Sequence, residues 1–280
     1  MRHFFRRFAR NKGAVVGLVI VGVVMLVALF AGLVFPGSPW NAVGDPLLDP
    51  LTDAAYPLGT DMLGRDIASG LAYGARVSLL VGLVSTAVAT FIGISIGAVA
   101  GYYGGRIDDV LMRLTEFFQT IPTLAMAVVL VAIFQPSLTS IITAIAVVSW
   151  PPVARLVRGE FMSLRSREFV QAAVVIGQSA PRIIFTQILP NTMSPIIVTA
   201  SLMIATAILT ESALSFLGLG DRNLMSWGFM IGAARTMIRE AWWMSFLPGL
   251  AILLTVLAVN LIGEGLNDAL NPHLRNRGER

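Results

Sequence analysis

Five charge-free runs constrain this chain more than any other feature: Gly13–Gly44, Val77–Gly105, Phe117–Ala154, Ile183–Thr210 and Ala241–Gly263. A helix needs roughly 20 mostly apolar residues to cross a bilayer core. Runs of this length separate a membrane protein from one with a merely large interior. The charged fraction, 13%, is also about half that of an ordinary soluble domain.

The run Phe117–Ala154 suits a hairpin of two spans, broken at Gln135-Pro136-Ser137. It is slightly short for two, so the third span is expected to begin near Asp109–Met112. The fold class is therefore an all-α integral membrane protein with six transmembrane helices. The first span covers Val15–Val34 and the second starts at Val77. The fourth ends at Trp150-Pro151-Pro152, read as an interfacial anchor and a kink. The fifth covers Ser194–Phe216 and the sixth Phe246–Ile262. Trp227, Trp242 and Trp243 read as an interfacial belt. The first run is too long for a signal peptide and is read as a retained span.

Charge sets the expected orientation. Residues 1–12 carry Arg2, Arg6, Arg7, Arg10 and Lys12 and no acid. Arg155, Arg158, Arg165, Arg167 and Arg182 face only Glu160 and Glu168 in the loop after the fourth span. Asp45, Asp49, Asp53, Asp61 and Asp66 dominate the segment after the first. Short cationic loops stay cytoplasmic, which places the N-terminus and the 155–193 loop inside and 36–75 outside. The C-terminal tail with Arg275, Arg277 and Arg280 then falls inside too. Three regions follow: 1–75 with the first span and an external segment, 76–270 with five spans, and a tail at 271–280. A nucleic-acid-binding role for the basic N-terminus does not suit a span that begins at once.

Several chemistries are excluded. There is no cysteine, hence no disulfide or thiolate site. His3 and His273 lie in opposite terminal segments, so one copy assembles no histidine-based catalytic or metal cluster. Lys12 is the only lysine, and no Gly-Lys-Ser/Thr phosphate loop exists. No bound cofactor or metal is expected. A membrane-embedded hydrolase would need a nucleophile–base or metal constellation that the composition does not offer.

Two features inside the spans stand out. Gly93, Gly97 and Gly101 recur every four residues, which puts them on one helix face where another backbone can approach. Glu211 is the one ionisable side chain well inside a predicted span, and such groups default to a functional reading. Thr210, Ser212 and Ser215 around it fit a structural or gating role. A proton- or sodium-coupled carrier is the rival class. It would usually show midmembrane ionisable groups in two related halves, and only Glu211 qualifies.

The loop between the fourth and fifth spans reads Gln171-Ala172-Ala173-Val174-Val175-Ile176-Gly177, then Gln187-Ile188-Leu189-Pro190. Ser166 is expected to cap a helix, with Glu168 in its first turn. Ala172 and Ala173 are small enough to admit another surface. Gly177 suits the left-handed stop. Ser179 and Pro181 start a second short helix, ended by Leu189-Pro190. Helix, hinge and helix in a water-facing loop form a lever; a lipid-resting amphipathic helix is the other reading.

This pattern resembles the EAA loop of binding-protein-dependent ABC importer permeases, with Gln171 in place of the acid and Gln187 in place of the usual isoleucine. Pro57-Leu58-Gly59-Thr60-Asp61-Met62-Leu63-Gly64-Arg65-Asp66 and Tyr73-Gly74-Ala75-Arg76-Val77-Ser78-Leu79 resemble the stretch before span two in C-type permeases of dipeptide, oligopeptide and nickel importers. Leu209–Gly220, Ser226-Trp227-Gly228, Phe246–Ala251 and Asn260–Leu266 resemble other segments of that subfamily, so the likeness covers nearly the whole chain.

The resemblance implies a coupling helix within 166–191 that docks on ATPase subunits. The residues concerned are Gln171, Ala172, Ala173, Gly177, Leu189 and Pro190. It also implies a homologous second permease subunit, two ATPase subunits that bind ATP and Mg, and an extracytoplasmic solute-binding protein. The chain would sit among lipid in the plasma membrane of a bacterium or archaeon. Asp61, Arg65 and Asp66 are candidates to touch the binding protein, or to hold an external turn through local ion pairs. The subfamily moves di- and oligopeptides, nickel complexes, glutathione and some sugars.

Overall fold

The computed structural model describes residues 8–270; the basic residues of 1–7 and the whole 271–280 tail lie outside them. Nearly every described element is helical. In chain order they are α1 (Lys12–Val34), α2 (Ile67–Tyr103), α3 (Gly105–Thr120), α4 (Thr123–Phe134), α5 (Leu138–Arg165) and α6 (Glu168–Val175). Then come a long helix α7 (Ala180–Leu219), α8 (Trp227–Ala234) and α9 (Trp243–Leu270). Among the described residues, α1, α2, α5, α7 and α9 are each long and apolar enough to cross a membrane. The sixth crossing is the pair α3 and α4, bent by 88° at their junction.

Packing explains why that bent pair has to count as a span. Gly93 of α2 lies against Val153 of α5, Gly97 against Ala154 and Val157, and Gly101 against Arg158 and Phe161. Positions rise together, so α2 and α5 run parallel, and the chain must return between them. Asp108 and Gln119 of α3 meet Arg158 and Arg155 of α5, and Ser140 near the start of α5 reaches back to Phe134 at the end of α4. Together α3 and α4 follow α5 from Arg158 back to Ser140, about 27 Å at 1.5 Å per residue, close to the hydrocarbon thickness. The single straight third span expected from Asp109–Met112 is thus a broken one. Pro122 lacks an amide proton and disfavours helix at the residue before it, Ile121, which sits at the bend with extended backbone.

The other directions follow from contacts. Gly17 of α1 touches Ala258 of α9, while Asn11 donates to Asp268 at 2.9 Å; these helices are antiparallel. Gly82 and Ser78 of α2 face Ile208 and Glu211 of α7, also antiparallel. Asn11, the 166–183 connection and Leu270 therefore share one face. The 36–66 segment and the 220–242 connection share the other.

Several span limits differ from the sequence expectation. Helix α2 begins at Ile67, not Val77, because Asp66 caps it by accepting from the amides of Ala68 and Ser69 at 2.9 and 3.2 Å. Arg76 ends the charge-free run yet belongs inside the helix: its guanidinium donates to the carbonyls of Ala28 and Leu29 on α1 and lies over the ring of Tyr73. Helix α5 continues past Pro151-Pro152 without ending there, and Trp150 is buried beside Phe118 instead of anchoring at an interface. Trp227 and Trp243 are buried as well; Trp242 alone of the expected belt is exposed. Trp243 opens α9 and donates to the carbonyl of Thr60 at 3.1 Å, tying the last span to the segment between α1 and α2.

Helix α1 buries only Ala14, Gly17, Ala28 and Ala31, a narrow face of small residues. Its remaining valines and leucines are largely exposed, as suits a surface bathed in acyl chains.

Candidate functional site

The loop after α5 folds as two helices around one glycine. Ser166 does not cap α6 as expected. It is the C-cap of α5, and its hydroxyl donates to the Ser163 carbonyl at 3.0 Å. Arg167 holds the N-cap position of α6 without a side-chain cap, and Glu168 lies in the first turn, where the helix dipole favours an acid. At the other end Gly177 has φ +80°. Its amide donates to Val174 and the amide of Gln178 to Ala173, each at 3.0 Å. This pair of bonds is a Schellman motif, which satisfies carbonyls that the helix end would leave bare.

The two faces of α6 differ. Ala173 is 4% exposed and packs with Val170, Ile183, Ile184, Ile188 and Phe161. It is part of the loop's own core, not an outward contact, which corrects the expectation that it admits a partner. Gln171 and Ala172 face outward. So do Val175 and Ile176, 85% and 73% exposed. These two were quoted in the motif without being singled out. The signal for them was there: an uninterrupted Val-Val-Ile run has no reason to occupy the tip of a polar loop unless something covers it.

Leu189-Pro190 does not end a short second helix. The helix that starts at Ala180 continues to Leu219. A turn of π-helix at Ile184–Ile188 stands just before Pro190. Proline would clash with the carbonyl four residues back and lacks a donor, and a wider turn there lets the helix continue. Leu189 is half-buried and Pro190 exposed. The loop is thus joined without a break to a helix that crosses the membrane.

Glu211 sits near the far end of that helix and is 1% exposed. Ser215 donates to Oε1 at 2.7 Å; Ser212 and Ser78 reach Oε2 at 3.4 and 3.5 Å. Ser78 belongs to α2, and its hydroxyl also accepts from the Trp227 amide at the start of α8 at 3.4 Å. One carboxylate therefore joins α2, α7 and the short helix α8 through hydroxyl groups. Ser212 and Ser215 were visible beside Glu211 in sequence; Ser78, 133 positions away, was not.

The turn at 61–66 is closed on itself. Asp61 accepts from the amides of Leu63 and Arg65 at 2.8 and 3.0 Å and pairs with the Arg65 guanidinium at 2.5 Å. Both side chains are buried. Asp66 serves as the α2 cap, and burial holds its carboxyl above the usual range despite the two amides that stabilise the charge. The three candidates for binding-protein contact are thus engaged in local structure.

The glycine stripe and the loop share α5. A side chain on Gly93, Gly97 or Gly101 would collide with α5 backbone or Cβ atoms. At the loop end of the same contact Arg158 makes a forked pair with Asp108 of α3, both bonds at 2.5 Å.

Comparison with known proteins places this geometry. Residues 93–276 match the family described as binding-protein-dependent transport system inner membrane component. Residues 1–50 match the N-terminal TM domain of oligopeptide transport permease C. The chain is 44% identical to the di/tripeptide transport system permease protein DppC of Pseudomonas aeruginosa, over 99% of this chain and 93% of that one. It is 43% identical to the dipeptide transport system permease protein DppC of Escherichia coli K12, over 98% and 94%. Among solved structures, the MetNI methionine ABC transporter in inward-facing form matches with TM-score 0.55 at 16% identity, over 70% of this chain and 96% of that one. An amino acid ABC transporter crystallised with histidines matches with TM-score 0.53 at 13% identity, over 68% and 89%. At these identities the structural likeness speaks for the fold.

Proposed function

This chain belongs to the family of binding-protein-dependent transport system inner membrane components, a multi-pass membrane permease subunit, and from that premise we propose that it lines half of the pathway of an ATP-driven importer of di- or oligopeptides. The observation that carries the coupling part of this reading is α6. Its inner face packs on its own chain, while Val175 and Ile176 stand bare in the loop between two spans.

In this reading ATP and Mg bind on two separate ATPase subunits, and α6 docks on them. A homologous second permease completes the pathway, and an extracytoplasmic binding protein delivers the substrate. The arginines around α6 and at the N-terminus favour a cytoplasmic position for both termini and for 160–190. Residues 40–70 then face outward. Movement of the docked helix passes into α7, whose continuity from Ala180 to Leu219 links the ATPase contact to the Glu211 cluster and to α8. That route offers a mechanical connection between nucleotide state and the external mouth. The peptide substrate is proposed from the names of the relatives.

The test is uptake of a radiolabelled dipeptide in cells lacking this chain, with and without its restoration, together with recovery of ATPase subunits on the purified chain. Restored dipeptide uptake with co-purified ATPase supports the reading. Uptake driven by an ion gradient with no ATPase recovered would replace it with a secondary carrier. Restoration of nickel or glutathione uptake alone would keep the machinery and change the substrate.

A further inference from the structure

At the external end of α7 the helix opens. Ser215–Leu219 is a turn of π-helix, and Gly218 leaves helical geometry with φ +84°. The short helix α8 closes over this opening: a side chain on Gly232 would stand 3.2 Å from Phe216 Cα and the Ser215 carbonyl. Between them lies a recess of about 180 Å³ whose walls include Ser215, Phe216, Phe229, Arg222 and Arg235.

We infer that this recess receives the C-terminal carboxylate of a peptide arriving from the external face; the inference rests on the peptide-import reading above. Three observations support it. Neither Arg222 nor Arg235 is held in an ion pair among the described residues. Their neighbour Asp221 is already occupied, accepting from the amides of Leu138 and Asn223 at 3.1 and 2.9 Å. Two exposed arginines outside any ion pair among the described residues thus line one small cavity. A guanidinium presents a planar fork of donors that matches a carboxylate.

Size selects the end of a ligand. Pockets that enclose a whole small molecule run to roughly 300–1,000 Å³, so this one takes a terminus and leaves the rest of the peptide outside it. The floor adds a link to the interior. Ser215 lines the recess, and its hydroxyl donates to Glu211, so the recess borders the group that joins α2, α7 and α8.

The experiment uses the absence of cysteine from this chain. Ala233, on the recess wall, is replaced in the assembled importer as Ala233→Cys, and modification of this chain by an anionic thiol reagent is followed by mass. Millimolar dipeptide should slow labelling severalfold, and the same dipeptide as its C-terminal amide should not. Protection should vanish when Arg222→Gln and Arg235→Gln are added. In uptake assays the double arginine variant should lose about tenfold in rate, the scale of one charge-assisted hydrogen-bonded contact, while binding-protein association is kept. Equal protection by acid and amide, no protection, or protection that survives loss of both arginines would overturn the inference. So would loss of binding-protein association in the double variant, which would make the recess a protein dock. If the unmodified importer takes up no dipeptide, the underlying function fails instead, and that result is separate from the labelling.

Discussion

Asp108 and Arg158 face one another across α3 and α5 in a forked ion pair, both bonds at 2.5 Å. The pair sits where the broken third span begins its return and where the loop-proximal part of α5 starts. It fixes the level of α3, a helix with few buried residues of its own.

Asp108→Asn and Arg158→Gln should each lower the thermal stability of the solubilised chain. The cost expected is about 1–3 kcal/mol, because each leaves one charged partner without its fork. A double-mutant cycle should show coupling between the two positions. Additive losses with no coupling would mean that the helices hold their places through apolar contact alone.

The glycine stripe predicts a sharp contrast between neighbours. A side chain at Gly97 meets the Ala154 carbonyl, with Val157 Cβ at 2.8 Å, and these are backbone or near-backbone atoms that cannot swing away. Gly97→Leu should separate α2 from α5 and abolish stable insertion of the assembled importer. Val99→Leu, on the exposed side, should be close to neutral. Ala98 is not a fair control despite its adjacency, since it is 5% exposed and belongs to the same core. Comparable yield and melting temperature for the two leucine variants would remove the close-packing role.

Glu211→Gln keeps the shape of the side chain and a carbonyl that can accept from Ser215. Its amide can donate to Ser78 or Ser212, whose hydroxyls accept as well as donate. Folding and ATPase recovery should therefore survive, while transport or its coupling to hydrolysis changes. Glu211→Leu should instead destabilise the fold, because it strands buried hydroxyls at about 1–3 kcal/mol each when unsatisfied. Lost ATPase recovery in a normally inserted Glu211→Gln chain would contradict the gating role.

How much of this was legible beforehand depends on the interaction involved. Charge-free runs and the register of Gly93, Gly97 and Gly101 are local patterns, and they located the spans and the stripe. Boundaries misled where a partner elsewhere in the chain neutralised a signal. Arg76 read as the end of a span because its bonds to α1 carbonyls are invisible in sequence. Pro190 read as a helix stop because a π-turn that relieves it has no sequence mark. Ala173 read as outward because small size permits both close docking and tight burial, and only the positions of Ile183 and Ile188 decide between them. Ser78 had no local signal at all.

The last prediction separates the two faces of α6. Val175→Arg replaces an 85% exposed valine and touches nothing in the loop's own core. Membrane insertion and melting temperature should stay as in the parent chain, while ATPase recovery and uptake fall about tenfold or more, since a charge would be buried unpaired against the partner. Ala173→Arg acts differently. A long cation driven among Val170, Ile183 and Ile188 should unfold the loop itself, so protease sensitivity near 166–183 should rise along with the loss of ATPase. Gly177→Pro should resemble it, because proline is locked near φ −65° and has no amide, whereas this position has φ +80° and donates to Val174. Gly177→Ala, strained by roughly 1 kcal/mol in the left-handed region, should retain partial function. The decisive comparison is Val175→Arg. If it keeps full ATPase recovery in a correctly folded loop, the bare apolar tip of α6 is not where the ATPase binds, and a lipid-resting helix becomes the better account.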